Sequence, residues 1–262
     1  MLFATLSICR NTQSISVQKE CSRGSIQRCG IVSSSVKNPP ITLLIEDLSH
    51  SFIDPRGRLQ KVLDKVSLAL SQGESVALWG PSGSGKTTLL NLVAGLIRPD
   101  QGKISLTLDG EVPQTLELTK LDDAQILRYR REHVGYVFQF FNLIETLTVA
   151  ENVRLAFELA GRLHEFESYL PRFDALGLED LVDKFPEELS GGEQQRVAVL
   201  RALAHQPELV LADEPTGNLD RENSERVADL LWQQVAQQKA SLLIATHSDA
   251  IARRADRVIT TG

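Results

Sequence analysis

Short apolar runs recur along the chain in two textures. "ESVALWG", "ELVLADE", "SLLIATH" and "DRVITT" hold nearly unbroken apolar stretches, as expected of strands buried on both faces of a parallel sheet. "ITLLIEDL", "VLDKVSLAL" and "GKISLTLDG" read as a second group of strands, the last ending in an Asp109-Gly110 turn. Helical patterns separate the runs. From about Thr119 to Glu188 the texture changes to long polar and apolar helical stretches such as "LDDAQILRYRREH" and "VAENVRLAFELAGRL", which predicts a helical insertion between sheet elements. The alternation as a whole predicts an α/β fold, a parallel sheet wrapped by helices, with ligand-binding residues at the carboxyl ends of its strands.

The first 40 residues fit neither texture. They show no sustained period, hold eight serines and close on Pro39 and Pro40, so residues 1–40 read as a disordered extension and residues 41–262 as the folded domain. Three origins stay open for the extension: a dispensable tail, an organellar transit peptide and a functional arm. A secretory signal does not fit, because no charged region precedes "LFATLSI". The extension holds Cys9, Cys21 and Cys29, all the cysteines of the chain, so the domain itself has no thiol or disulfide chemistry. It also carries five Lys and Arg against one acid, which puts −10 of the chain's net −6 on residues 41–262. So acidic a body argues against sequence-independent nucleic-acid binding. No run reaches the roughly 18 apolar residues of a membrane span.

The chemistry starts at "ALWGPSGSGKTTLLNLVAGL". Gly80, Pro81, Ser82, Gly83, Ser84, Gly85, Lys86 and Thr87 match GxxxxGK[ST] between a buried strand and an apolar helix. The glycines let backbone N–H groups turn inward around an anion, and the helix adds its positive end. Lys86 supplies a charge to the β and γ phosphates, and Thr87 a hydroxyl to Mg²⁺. Downstream, "LVLA" runs into Asp213-Glu214-Pro215. Asp213, at a strand exit, suits Mg²⁺, and Glu214 is left to orient and deprotonate an attacking water. His247 closes "SLLIATH" at a similar address. "LSGGEQQR" sets Ser190, Gly191 and Gly192 before a helical run, where a glycine pair implies a sharp turn or a close approach.

"GPSGSGKTT", "LSGGEQQR", "LADEPTGNLD" and "ATHS", in this order and spacing, resemble the nucleotide-binding subunit of ATP-binding cassette transporters over residues 41–262. The resemblance implies a P-loop NTPase of RecA-like type: a mixed or parallel sheet core, an antiparallel β-subdomain, and an α-helical subdomain inserted at about residues 140–189. It implies ATP and Mg²⁺ as ligands, with adenine against Phe52, phosphates in the loop from Gly80 through Thr88, and metal at Thr87, Gln139 and Asp213. It makes Glu214, His247, Gln139 and Lys86 the catalytic set. Ser190, Gly191, Gly192 and Asp220 then serve a nucleotide held by a second copy in a head-to-tail homodimer.

The stretch "LTKLDDAQILRYRREHVGYVFQFFNLIETLTVAENV" is similar to ATPases of the lipoprotein-release, macrolide-export and cell-division group. That likeness implies an integral membrane permease as partner, with a periplasmic adaptor as a further one, and a site at the cytoplasmic face of the inner membrane. The plastid stroma is the alternative if residues 1–40 are a transit peptide. The group's rival activity is a mechanochemical regulator that transports nothing. Ser248 stands where the family often carries Asp, and the close of the sequence at Gly262 gives no expectation of a carboxy-terminal regulatory domain.

Overall fold

The computed structural model describes residues 40–108, 112–174 and 176–261. The expected extension, Pro40 apart, and the Asp109-Gly110 turn lie outside them. The strands are β1 (Ile41–Ile53), β2 (Leu59–Ser71), β3 (Ser75–Trp79), β4 (Gln101–Leu108), β5 (Gln114–Glu117), β6 (Val134–Val137), β7 (Leu209–Asp213), β8 (Ser241–Thr246) and β9 (Arg257–Thr260). The helices are α1 (Lys86–Val93), α2 (Asp123–His133), α3 (Val149–Leu159), α4 (Phe166–Tyr169), α5 (Pro171–Asp174), α6 (Gly191–Leu203), α7 (Arg221–Gln238) and α8 (Asp249–Ala252). A parallel sheet has the order β6-β7-β8-β3-β9, and an antiparallel sheet the order β2-β1-β4-β5.

The unbroken apolar runs are needed because β7 and β8 bury both faces. Leu209, Leu211, Leu243 and Ala245 join a core with α1 and the antiparallel sheet, whereas Val210, Ala212, Leu242 and Ile244 join one with α6 and α7. Each fully buried Leu, Ile or Val contributes roughly 1.5–3 kcal/mol, so every position of these strands is under demand. A third cluster unites Val149, Val153 and Phe157 of α3 with Tyr169, Phe173 and Leu178, and closes on Val197 and Leu200 of α6. Helix α6 therefore serves the sheet on one side and the helical region on the other.

Three helices start with reciprocal capping pairs, Asp122 with Gln125, Thr148 with Glu151, and Ser190 with Glu193, each satisfying two N–H groups that the first turn leaves free.

The structure departs from the pattern at two places and, at the glycine pair, chooses between the two readings. "DRVITT" is not buried on both faces: β9 pairs with β3 alone, and Val258 is 44% exposed. The stretch expected to be a helical insertion carries β6, which pairs in parallel with β7; four residues are too few to show a period. Gly191 and Gly192 do not make a left-handed turn but form the first turn of α6. What Gly192 provides is close approach, since a Cβ there would lie 2.5 Å from Asn223 Oδ1 in α7.

Candidate active site

Strand β3 ends at Trp79, and the glycine-rich loop runs to Gly85, the N-cap of α1. Gly85 has φ 88°, the left-handed region that a Cβ penalises, and a Cβ there would also meet Leu63 Cδ2 of β2 at 2.8 Å. At Gly80 a Cβ would sit 2.1 Å from Thr261 O. Lys86 is only 6% exposed, and its Nζ donates to the carbonyls of Gly80 and Pro81, each at 2.8 Å. The ammonium thus lies folded into its own loop, on acceptors that carry no charge.

The register of the sheet brings in the acids. Trp79 pairs with Thr246 and Asp213 with Ala245, so the exits of β3, β7 and β8 lie at one level. Asp213 is 8% exposed and accepts from Thr87 Oγ1 at 3.1 Å. Burial raises its pKa above the usual carboxylate range, the bond from Thr87 opposes that, the charge of Glu214 adds to it, and Lys86 opposes it. Glu214 has φ 44°, a left-handed backbone that costs a non-glycine residue about 1–2 kcal/mol. Its N–H donates to Ala245 O at 2.9 Å, and its Oε2 lies 2.9 Å from Nδ1 of His247. A strained backbone and a contact from the residue that follows β8 together aim this carboxylate.

Gln139 follows β6. Its carbonyl accepts from Asn218 Nδ2 at 3.0 Å, and its Nε2 lies against Gly217, 3.7 Å from where a Cβ would stand. It is therefore brought beside the Glu214 segment, whose carbonyl accepts from the N–H of Gly217 at 3.0 Å. Phe52 lies in the antiparallel sheet, 44% exposed, edge-on to His50 with ring centroids 4.7 Å apart.

Ser190 is exposed at the start of α6, bonded to Glu193. Its neighbours Gly191 and Gly192 face Leu219, Phe141 and Asn223. Asp220 caps α7 and accepts from the N–H of Asn223 at 2.9 Å and its Nδ2 at 2.6 Å, bonds that lower its pKa. The contacts of Ser190 and Asp220 thus tie them to the α6 and α7 starts.

The family model described as ABC transporter matches residues 63–217, which include the phosphate loop, Ser190 and Glu214. The chain belongs to the ABC transporter family. The matched region is an ATP-binding cassette, an ATP hydrolase. The chain is 45% identical, over 82% of its length and 84% of the relative's, to an uncharacterized ABC transporter ATP-binding protein of Mycobacterium tuberculosis (strain ATCC 25618 / H37Rv). It is 41% identical, over 84% of its length and 94% of the relative's, to the lipoprotein-releasing system ATP-binding protein LolD of Legionella pneumophila (strain Paris). Among solved structures it is similar to the dimeric bacterial ABC transporter cassette MJ0796, with TM-score 0.73 and 33% identity over 84% of this chain and 94% of that one. It is also similar to a post-hydrolysis state of MJ0796 bound to ADP and Pi, with TM-score 0.71, 33% identity and the same coverage.

Two neighbours of the cassette's site, Thr261 and Asn218, take roles that their sequence surroundings do not assign. Thr261 donates its N–H to Trp79 O at 2.8 Å and shares a hydroxyl hydrogen bond of 2.8 Å with Ser84, so the edge strand β9 props the phosphate loop. Asn218 holds Gln139; its only sequence signal is membership of "PTGNLD".

The buried carboxylate of Asp213 has a consequence for stability. A folded-state pKa above the unfolded one penalises the native state once pH exceeds the ordinary carboxylate range. Asp213→Asn keeps the acceptor for Thr87 and removes the charge. It raises the unfolding midpoint of the nucleotide-free ABC domain at pH 7.5 by about 2–4 °C, the shift that ~1 kcal/mol makes in a domain of this size, while removing turnover. The gain vanishes toward pH 4, and a midpoint lowered at pH 7.5 counts against the account.

Proposed function

We propose that this cassette hydrolyses ATP between two copies arranged head to tail, and that closing and opening of the pair drives an integral membrane permease of the lipoprotein-release and export kind. The observation that carries the proposal is the convergence of Lys86, the Thr87 and Asp213 pair, and the Glu214 and His247 pair at the carboxyl ends of β3, β7 and β8. The subunit would sit at the cytoplasmic face of the membrane. Among the described residues no helix is long and apolar enough to cross a membrane, so contact with the bilayer is assigned to the permease. The LolD relatives support this class of partner.

ATP phosphates enter the loop from Gly80 through Thr88, and Lys86 exchanges two neutral carbonyls for anionic oxygens, a stronger class of hydrogen bond. Adenine lies against the exposed face of Phe52. Glu214, aimed by His247, takes the proton of the water that attacks the γ phosphate, and His247 turns to that phosphate. The donor set fits Mg²⁺: the Thr87 hydroxyl, the Asp213 carboxylate and the side chain of Gln139 offer hard oxygen ligands, and Asp213 is buried with no salt bridge among the described residues to compensate its charge. Mg²⁺, when bound there, neutralises phosphate charge.

Residues 140–189 are proposed as the helical subdomain that bears Ser190 toward the partner. The exposed Ser190 and the amides of Gly191 and Gly192 present the positive end of α6 to the partner's γ phosphate, and Asp220 completes the interface. Dimeric MJ0796 supports this arrangement.

Ser190→Arg tests it. ATP affinity of the monomer stays within about twofold, turnover falls about 100-fold, and no ATP-dependent dimer forms on size exclusion. Normal turnover would place the second half of the site elsewhere. Copurification from detergent-solubilised membranes tests the partner: a permease is expected, and recovery with ribosomes or DNA would overturn the transport role.

A further inference from the structure

The segment that follows β6 contains no glycine, yet two consecutive residues, Phe141 at φ 47° and Asn142 at φ 51°, occupy the left-handed region. Asn tolerates that region and Phe does so poorly, so the shape is imposed from outside. Helix α6 imposes it at three levels. The ring of Phe141 lies on the first turn, 3.6 Å from where a Cβ of Gly191 would stand. Gln195, fully buried, donates from Nε2 to Phe138 O at 3.3 Å. Near the end of the helix, Arg201 donates from Nη2 to Phe141 O at 2.9 Å and from Nη1 to Asn142 O.

The guanidinium fork thus spans the two carbonyls that the left-handed pair presents side by side, a match that Lys, with a single ammonium, does not reproduce. Burial lowers the Arg201 pKa to about 10. Its charge is spent on the loop carbonyls.

We infer that Arg201 is a positioning residue, which clamps residues 138–142 along α6 so that Gln139 at the ATP site and Ser190 at the opposite end of that helix move as one body. The inference rests on the proposed roles of Gln139 and Ser190. Its consequence is mechanical: a displacement of Gln139 cannot be absorbed in the loop and is passed to the α6 start about 15 Å from Arg201, at 1.5 Å per residue.

The experiment compares Arg201→Lys, Asn142→Pro, Arg201→Lys with Asn142→Gly, and Gln139→Ala in the full chain. ATP affinity is read by equilibrium binding and kcat by phosphate release. Arg201→Lys lowers kcat about 10-fold or more with ATP affinity within about twofold, the pattern of a misplaced group rather than a lost binding contact. Adding Asn142→Gly recovers about threefold or more, because glycine holds the left-handed shape without the clamp; a loss due to poor packing of α6 is not repaired by a change at exposed Asn142.

Should Arg201→Lys not fold, Asn142→Pro carries the test, since proline forbids positive φ at a surface position; it lowers kcat about 10-fold with affinity retained. The inference is overturned if Arg201→Lys, or Asn142→Pro in its place, keeps kcat within twofold or loses ATP affinity in step with kcat, or if Asn142→Gly recovers nothing. Gln139→Ala separates the two layers. Unchanged turnover in Gln139→Ala means that the proposed role of Gln139 fails, whereas lost turnover there with normal Arg201→Lys means that the clamp fails.

Discussion

Glu214→Gln lowers ATP turnover by about 10²–10⁴-fold while leaving ATP bound. The amide has the size of the carboxylate, so the contact with His247 Nδ1, now at 2.9 Å, is retained. The backbone at φ 44° and the bond to Ala245 O do not depend on the side chain. What disappears is the capacity to take a proton from water. A nucleotide that binds normally and is not cleaved accumulates, and on the proposed mechanism it accumulates as a closed dimer. Phosphate release and equilibrium ATP binding, measured on one preparation, check both halves. Turnover retained above about a tenth of wild type would move the general base to another group.

Lys86→Ala lowers kcat/KM by about 10³-fold or more. Each preorganised donor to a reacting phosphate is worth about 10²–10³, and the ammonium is the one cation placed by the loop itself. The same change strips Gly80 O and Pro81 O of their donor, and of the two residues Gly80 is buried. A buried carbonyl left without a partner costs about 1–3 kcal/mol, so the nucleotide-free protein also unfolds at a lower temperature. Lys86→Met, which keeps most of the volume but supplies no donor, recovers only the packing part of the unfolding midpoint and none of kcat/KM. A fluorescent ATP analogue and a thermal melt supply the readouts. Wild-type kcat/KM in Lys86→Ala would mean that the phosphates bind elsewhere.

The parts of the fold and site legible in the sequence are those set by neighbours along the chain. Strand, glycine-rich loop and helix follow one another within Ser75 to Val93, and a left-handed Gly85 or a lysine at the first helical position is a local property. The same holds for the doubly buried strands, whose apolar runs state that no face meets water. It holds for Asp213 and Glu214, placed at a strand exit by adjacency alone. Family resemblance extended this to Gln139, Phe52, Asp220 and His247, whose own surroundings in the chain carry weak signals.

Other relations join residues far apart in the chain, and no period or motif encodes them. Glu214 meets His247 because β7 and β8 are neighbours in register. Thr261 reaches Ser84 because β9 takes the edge beside β3, and that edge position is also why an apolar run such as "RVIT" is left largely exposed. Four-residue β6 is a strand of the central sheet only because β7 offers it hydrogen bonds. Arg201 holds Phe141 and Asn142 across 60 and 59 positions. The sequence by itself determined which side chains are proposed to carry phosphate, metal and proton chemistry, since their type and local backbone are written in contiguous residues. Tertiary structure alone decided how they are aimed, because aim depends on hydrogen bonds that exist only once the two sheets and α6 have packed.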